Sequence, residues 1–106
     1  EKIYKKISID EIQTIVCSKY GITLSQMLSD ERTQTIVTPR QLAMYIASNY
    51  TQHSFMDIAK HFHKSHATIM HGARNIKKRM DVEPELKENI KSILSEFGLT
   101  EDDIIR

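Results

Sequence analysis

A single cysteine, Cys17, stands among 106 residues, so an intramolecular disulfide framework is excluded and the thiol content fits a reducing compartment. Glycine occurs only at positions 21, 72 and 98, and no Gly-rich phosphate loop of the Walker type can be written from that spacing. With so little glycine and only two prolines, the chain is neither loop-rich nor low in complexity. No apolar run approaches the ~18 residues that a membrane span requires. Lys2, Lys5 and Lys6 are followed by Asp10 and Glu11 rather than an apolar stretch, so no secretory leader is expected. The first residue is Glu1, not Met, and further sequence is expected before it. What remains is one domain's length, with 40% hydrophobic and 27% charged residues, able to bury a single core unaided.

Charge of one sign is also lacking overall: 15 basic residues face 14 acidic ones, for a net charge of +1. The distribution is uneven. Residues 54–80 carry Lys60, Lys64, Arg74, Lys77, Lys78 and Arg79 against Asp57 alone, a local +5. Residues 81–106 carry three basic groups against eight acidic ones, a local −5. All five histidines (53, 61, 63, 66, 71) fall near the basic segment.

The hydrophobic period is helical nearly throughout, and the expected class is all-α. Ser8 and Glu11 have capping-box spacing, and Ile9, Ile12, Val16 and Tyr20 follow at three- and four-residue steps, with Gly21 placed as a stop. Leu24 to Leu28 reads as a short turn of helix behind Thr23. Residues 29–37 show no period and read as a loop. Thr38, Pro39 and Gln41 read as N-cap, first helical residue and capping-box partner of a central helix whose stripe is Leu42, Ala43, Tyr45, Ile46 and Tyr50. Ser54 and Asp57 start a short helix from Phe55 to about Phe62. His63, Lys64 and Ser65 form a turn, and a longer helix runs from His66 to Arg79. Glu83-Pro84 opens a helix with Leu86, Ile90, Ile93, Leu94 and Phe97 inward, stopped at Gly98, and Thr100 with Asp103 caps a last turn.

A short helix, a tight turn and a longer helix over about residues 54–79 is the helix-turn-helix plan. Ala59 is small enough for close approach, and Ile69 is placed to plug the angle between the helices. His63 occupies the turn position where glycine is usual; among other residues, His is enriched at φ > 0. The start of the second helix carries Lys64, Ser65, His66, Ala67, Thr68 and His71, groups of the size that reaches base edges. Its N-terminal N–H groups suit a phosphate. Other chemistry is poorly supported. His61, His63 and His66 are close in sequence, but no Cys pair or His-Glu-x-x-His spacing joins them, so no metal or other cofactor is expected. Cys17 beside an apolar face is a core thiol, and Asp57 with His61 is a surface pair, so no catalytic residue is assigned.

The segments Thr38-Pro39-Arg40-Gln41-Leu42-Ala43-Met44-Tyr45 and Ile58-Ala59-x-x-Phe62-x-Lys64-x-His66-x-Thr68-Ile69-Met70-His71-x-Ala73-x-x-Ile76 together resemble the C-terminal DNA-binding domain of the bacterial replication initiator DnaA. Ile7 to Gln13 is similar to the helix by which that domain is joined to an upstream ATPase module. The resemblance, over about residues 7–97, implies a Trp-repressor-like multi-helix fold, with a connecting helix in 1–20 and the binding domain in 21–106. It implies binding of short, asymmetric A/T-rich boxes of the TTATNCACA type in duplex DNA. The second helix, about 66–79, would lie in the major groove, and Arg32 in the adjacent minor groove, whose A/T-rich narrowing favours an arginine. By the same resemblance Ser65, His66, Ala67 and Thr68 join Arg32 at base edges. Arg40, Gln41, Ser54, Phe55, Met56, Lys64, His71, Arg74 and Lys78 lie at phosphates, where contacts set register without reading sequence. The implied partners are duplex DNA, the rest of the initiator through residues 1–20, and replication regulators. The implied setting is a bacterial cytoplasm at the nucleoid, with no membrane span. ATP binding belongs to the separate module, and this chain is not an enzyme.

Three departures stand out. The family usually has Gly-Gly-Arg-Asp between its Phe and His, where only His63, Lys64 and Ser65 stand here, one residue fewer. Ala67 replaces a threonine, and Asp30 and Glu31 stand where the loop is commonly basic. Weaker binding with relaxed or shifted discrimination is expected, as in a divergent paralogue, with about one unit of salt slope for each lost phosphate contact. The alternative is a helix-turn-helix scaffold kept as a protein-interaction module with little DNA specificity, since fold alone does not dictate function.

Overall fold

The computed structural model describes residues 7–105; the basic residues at positions 2, 5 and 6, and the start of the expected connecting segment, lie outside them. Six α-helices follow one another: α1 (Ile9–Tyr20), α2 (Leu24–Leu28), α3 (Gln34–Tyr50), α4 (Phe55–Phe62), α5 (His66–Met80) and α6 (Pro84–Glu96), then a 3₁₀ turn at Glu101–Asp103. No strand occurs among the described residues, and no helix there is long and apolar enough to cross a membrane.

Helix α3 is the axis of the fold. Leu42 through Ser48 are buried without interruption, and the helix packs most extensively on α5 and then on α1. Its start differs from the sequence expectation. Thr33, not Thr38, is the N-cap, so Pro39 lies inside the helix and the loop shrinks to 29–33. The extra turn forms because Ile36 reaches a buried position and because the Ile36 and Val37 N–H groups both close on the Thr33 carbonyl, at 2.9 and 2.8 Å. Pro39 then removes only one backbone bond. Thr38 and Gln41 are released from capping. The Thr38 hydroxyl accepts from Arg79 Nη1 at 2.9 Å, and Gln41 Oε1 accepts from Asn75 Nδ2 at 2.6 Å.

Both contacts tie α3 to α5, and Gly72 permits the approach. A Cβ there would lie 2.8 Å from Met44 Sδ and 3.3 Å from Gln41 Cγ. Helix α1 is part of the same core through Ile9, Ile12, Val16 and Cys17. The Ser8 hydroxyl accepts from the Glu11 N–H as expected, but it donates to the Glu11 carboxylate, so the reciprocal arm of a capping box is not made. Burial pushes the Cys17 thiol up from its ordinary value, away from the reactive thiolate. Helix α6 closes the back, with Asn89 Nδ2 donating to the Tyr20 hydroxyl at 3.1 Å and Lys19 Nζ to Ser92 Oγ at 3.1 Å. The tail returns to α3: the Ile105 N–H donates to the Asn49 carbonyl at 2.6 Å, leaving Ile104 and Ile105 extended and exposed rather than helical.

Candidate nucleic-acid interface

Helices α4 and α5 meet through a turn in which every residue has one task. His63 takes the left-handed conformation (φ 54, ψ 41), the only non-glycine residue to do so among those described. The His63 N–H donates to the Lys60 carbonyl and the Lys64 N–H to the Ala59 carbonyl, the paired bonds of a Schellman ending. The next carbonyl, of His61, accepts from Gln13 Nε2 at 3.0 Å, so a buried side chain of α1 finishes the cap. Ser65 then caps α5, its hydroxyl accepting from the Thr68 N–H at 3.2 Å. With cap, link and new cap in three successive residues, the shortened turn closes without a spare position. Ile58, Phe62 and Ile69 are wholly buried beneath it and Ala59 nearly so. Each such large side chain contributes about 1.5–3 kcal/mol of burial.

Helix α5 is divided lengthwise. Ile69, Gly72, Ala73 and Ile76 face α3 and are buried. Ser65, His66, Ala67, Thr68, His71, Arg74, Lys77 and Lys78 are exposed. One flank of this exposed strip is a shallow cleft lined by Ser48, Asn49, Phe55, Met70, Ala73, Arg74 and Lys77. The His66 ring stands edge-on to Phe55, centroids 5.4 Å apart at 80°, which orients the imidazole from below. Ser65 and Thr68 share a hydrogen bond between their hydroxyls at 2.9 Å, so both belong to the helix start before either meets a ligand. Ser54 accepts from the Asp57 N–H at 3.1 Å and begins α4, with Met56 exposed beside it.

The five histidines serve separate purposes. His53 Nε2 lies 2.7 Å from the Ile7 carbonyl. His61 Nδ1 bonds the Asp57 backbone carbonyl at 2.9 Å, while its Nε2 is 4.0 Å from the Asp10 carboxylate on α1. The expected Asp57–His61 side-chain pair is therefore corrected: His61 faces α1. His63 is a cap, and His66 and His71 stand on the exposed strip.

Three cations of the basic inventory are placed otherwise than the sequence suggests. Arg40 is 7% exposed, and its guanidinium donates to the carbonyls of Met27 (Nε, 2.8 Å), Glu31 (Nη1, 2.9 Å) and Gln26 (Nη2, 3.3 Å), with the Ser29 hydroxyl at 3.4 Å from Nη2. A phosphate at Arg40 would have to displace these bonds; as placed, it holds the loop. Lys64 Nζ donates to Asp30 Oδ1 at 2.6 Å and lies 3.5 Å from the Leu28 carbonyl. Arg79 forms a bidentate pair with Glu83, at 2.7 and 3.0 Å. Lys60, Arg74, Lys77 and Lys78 have no ion pair among the described residues, so the outward positive field of this segment rests on them. Arg32 is exposed on the loop between α2 and α3.

The contacts made by Gln13, Asp30, Gly72 and Asn75 escaped the sequence reading. Gly72 was detectable, because a glycine inside a strong helical period usually has a packing reason. Asp30 and Lys64 are 34 positions apart, and no local pattern joins them.

A family model described as the bacterial DnaA protein helix-turn-helix matches residues 9–76. Among curated relatives, the chromosomal replication initiator protein DnaA of Cereibacter sphaeroides is 40% identical over 88 residues, covering 82% of this chain and 19% of that protein. The protein of the same name from Rickettsia bellii is 38% identical over 89 residues, covering 83% and 19%, and that from Rickettsia canadensis is 37% identical over 89 residues with the same coverage. The chain thus spans about a fifth of the length of these relatives. With the match running from α1 through the buried face of α5, the chain belongs to the bacterial DnaA helix-turn-helix family.

Proposed function

We propose that this chain is the sequence-specific duplex-DNA-binding domain of a replication initiator. The observation that carries the reading is the lengthwise division of α5: one face locked into α3, the other presenting His66, Ala67, Thr68 and His71 beside Arg74 and Lys78. The exposed face lies in the major groove. Thr68 offers a hydroxyl and a methyl, Ala67 a methyl for a thymine, and His66 an imidazole edge, each suited to base edges there. Ser65 acts first as the helix cap and stands at the groove floor. Arg32 enters the minor groove, and His71, Arg74 and Lys78 meet phosphates, as do Gln41 and the start of α4 at Ser54, Phe55 and Met56. Residues 1–20 join the domain to the rest of the initiator, whose ATPase lies elsewhere in the whole protein. The setting is a bacterial cytoplasm.

Fluorescence anisotropy with a TTATNCACA-type duplex and a scrambled duplex tests the reading. The box is expected to bind more tightly. Arg32→Ala and Thr68→Ala should each cost about 1–3 kcal/mol on the box, and Lys78→Ala should weaken both duplexes alike. Equal affinity of the unaltered protein for the two duplexes would refute sequence-specific binding.

A further inference from the structure

We propose that the Asp30–Lys64 ion pair is a positioning strap that sets the separation between the loop carrying Arg32 and the start of α5, and that box preference depends on it. The inference rests on the DNA-binding reading above.

The loop is held on two sides. From beneath, Arg40 of α3 grips the carbonyls of Gln26, Met27 and Glu31. Within it, the Ser29 hydroxyl donates to the Gln26 carbonyl at 2.6 Å and accepts from the Glu31 N–H at 3.2 Å. From the side, Lys64 reaches Asp30 Oδ1 at 2.6 Å. Lys64 is a well-anchored post: its own N–H is bonded to the Ala59 carbonyl, and it lies between the left-handed cap His63 and the N-cap Ser65. Its side chain is only 15% exposed, whereas that of Asp30 is 98% exposed. Arg32 follows Asp30 by two positions and Ser65 follows Lys64 by one. The pair therefore bridges the two elements that would enter neighbouring grooves, within two positions of Arg32 and one of Ser65. The Lys64 ammonium also holds the Asp30 carboxyl below its ordinary range, so the pair is charged at neutral pH.

A plain charge effect makes the opposite forecast. An acid near DNA repels phosphate, and its removal would strengthen binding to every duplex while freeing Lys64. The strap requires that removing the acid lower the preference for the box.

The experiment measures affinities of the box and scrambled duplexes for the unaltered protein, for Asp30→Asn, for the reversed pair Asp30→Lys with Lys64→Asp, for Arg32→Ala, and for Asp30→Asn combined with Arg32→Ala. Asp30→Asn is expected to lower the box-to-scrambled ratio about two- to fivefold, the span of an exposed ion pair, while affinity for the scrambled duplex rises. The reversed pair should regain most of the ratio. With Arg32→Ala already present, Asp30→Asn should leave the ratio unchanged, because the strap acts through Arg32. Amide exchange at residues 29–33 of the free protein should quicken in Asp30→Asn and return in the reversed pair. An Asp30→Asn protein that binds both duplexes more tightly by the same factor, or whose ratio falls equally with and without Arg32, overturns the proposal. Unchanged loop exchange overturns it independently of DNA. If the unaltered protein is indifferent to the two duplexes, the DNA-binding reading fails and the strap's role in preference falls with it. Quickened exchange would then still establish the restraint on the loop.

Discussion

At the scale of single residues, the turn between α4 and α5 shows how one backbone conformation selects a side chain. α1 ends on a left-handed Gly21, and a left-handed Gly98 follows α6, where no Cβ opposes the conformation. His63 does the same work against a steric cost, and that it would adopt φ > 0 was legible from its place in the sequence. His63→Gly should therefore raise stability by about 0.5 kcal/mol, and His63→Val lower it by about 1–2 kcal/mol, as read from urea denaturation midpoints at constant m. Arg40 is the opposite case. Its position suggested a phosphate contact, yet the planar fork faces inward, where three carbonyls converge. Lysine cannot reproduce that geometry. Arg40→Lys should cost about 1–3 kcal/mol, the range for losing charge-assisted bonds and stranding their buried acceptors. Faster amide exchange at residues 26–31 would show where the damage lies, and an unchanged midpoint would contradict the role.

Among elements, the α3–α5 contact decides how the candidate interface is presented. Helical period identified the buried stripe of each helix, but not that they would meet at Gly72, with Asn75 bonded to Gln41 and Arg79 to Thr38 on the same flank. A β-branched side chain at 72 would press on Met44, which is 1% exposed, and on the Gln41 stem. Gly72→Val is expected to destabilise by about 1–3 kcal/mol through overpacking. Thermal unfolding followed by circular dichroism checks this, and a rise in Tm would show that helix propensity outweighs the contact. The early start of α3 belongs to the same scale. Pro39 marks a helix beginning on statistical grounds, and the structure places it inside because burial of Ile36 outweighs one missing backbone bond.

Over the whole molecule, burial of phenols links stability to alkali. Burial raises Tyr20, Tyr45 and Tyr50 above their ordinary value, most strongly Tyr50, whose hydroxyl donates to the Glu101 carbonyl at 3.3 Å. The folded state therefore favours the neutral phenol. Stability is full below the unfolded tyrosine value, about 10, and is lost progressively as pH rises from there through the raised folded values. Tm should fall steeply above about pH 10. In Tyr50→Phe the fall should be shallower, from a neutral-pH stability lowered by roughly 0.5–1.5 kcal/mol for the lost bond. A pH profile identical in the two proteins would assign the alkaline loss to other groups.

The sequence by itself determined the helices, the N-caps Ser8, Thr23, Ser54 and Ser65, and the turn that joins α4 to α5, though not the start of α3 at Thr33, because these depend on neighbours within four or five positions: a period, an N-cap hydroxyl, a residue that tolerates φ > 0. The motif segments 38–45 and 58–76, which lie within the matched family region, were legible for the same reason. Only the tertiary structure decided what the charges do. Lys64 met Asp30 from 34 positions away, Arg40 turned to the carbonyls of a loop, and Arg79 reached the Thr38 hydroxyl 41 positions away. A charge's partner is set by which surfaces pack together, and a linear sum of +1, or even a local +5, averages over pairs that exist only once the chain has folded.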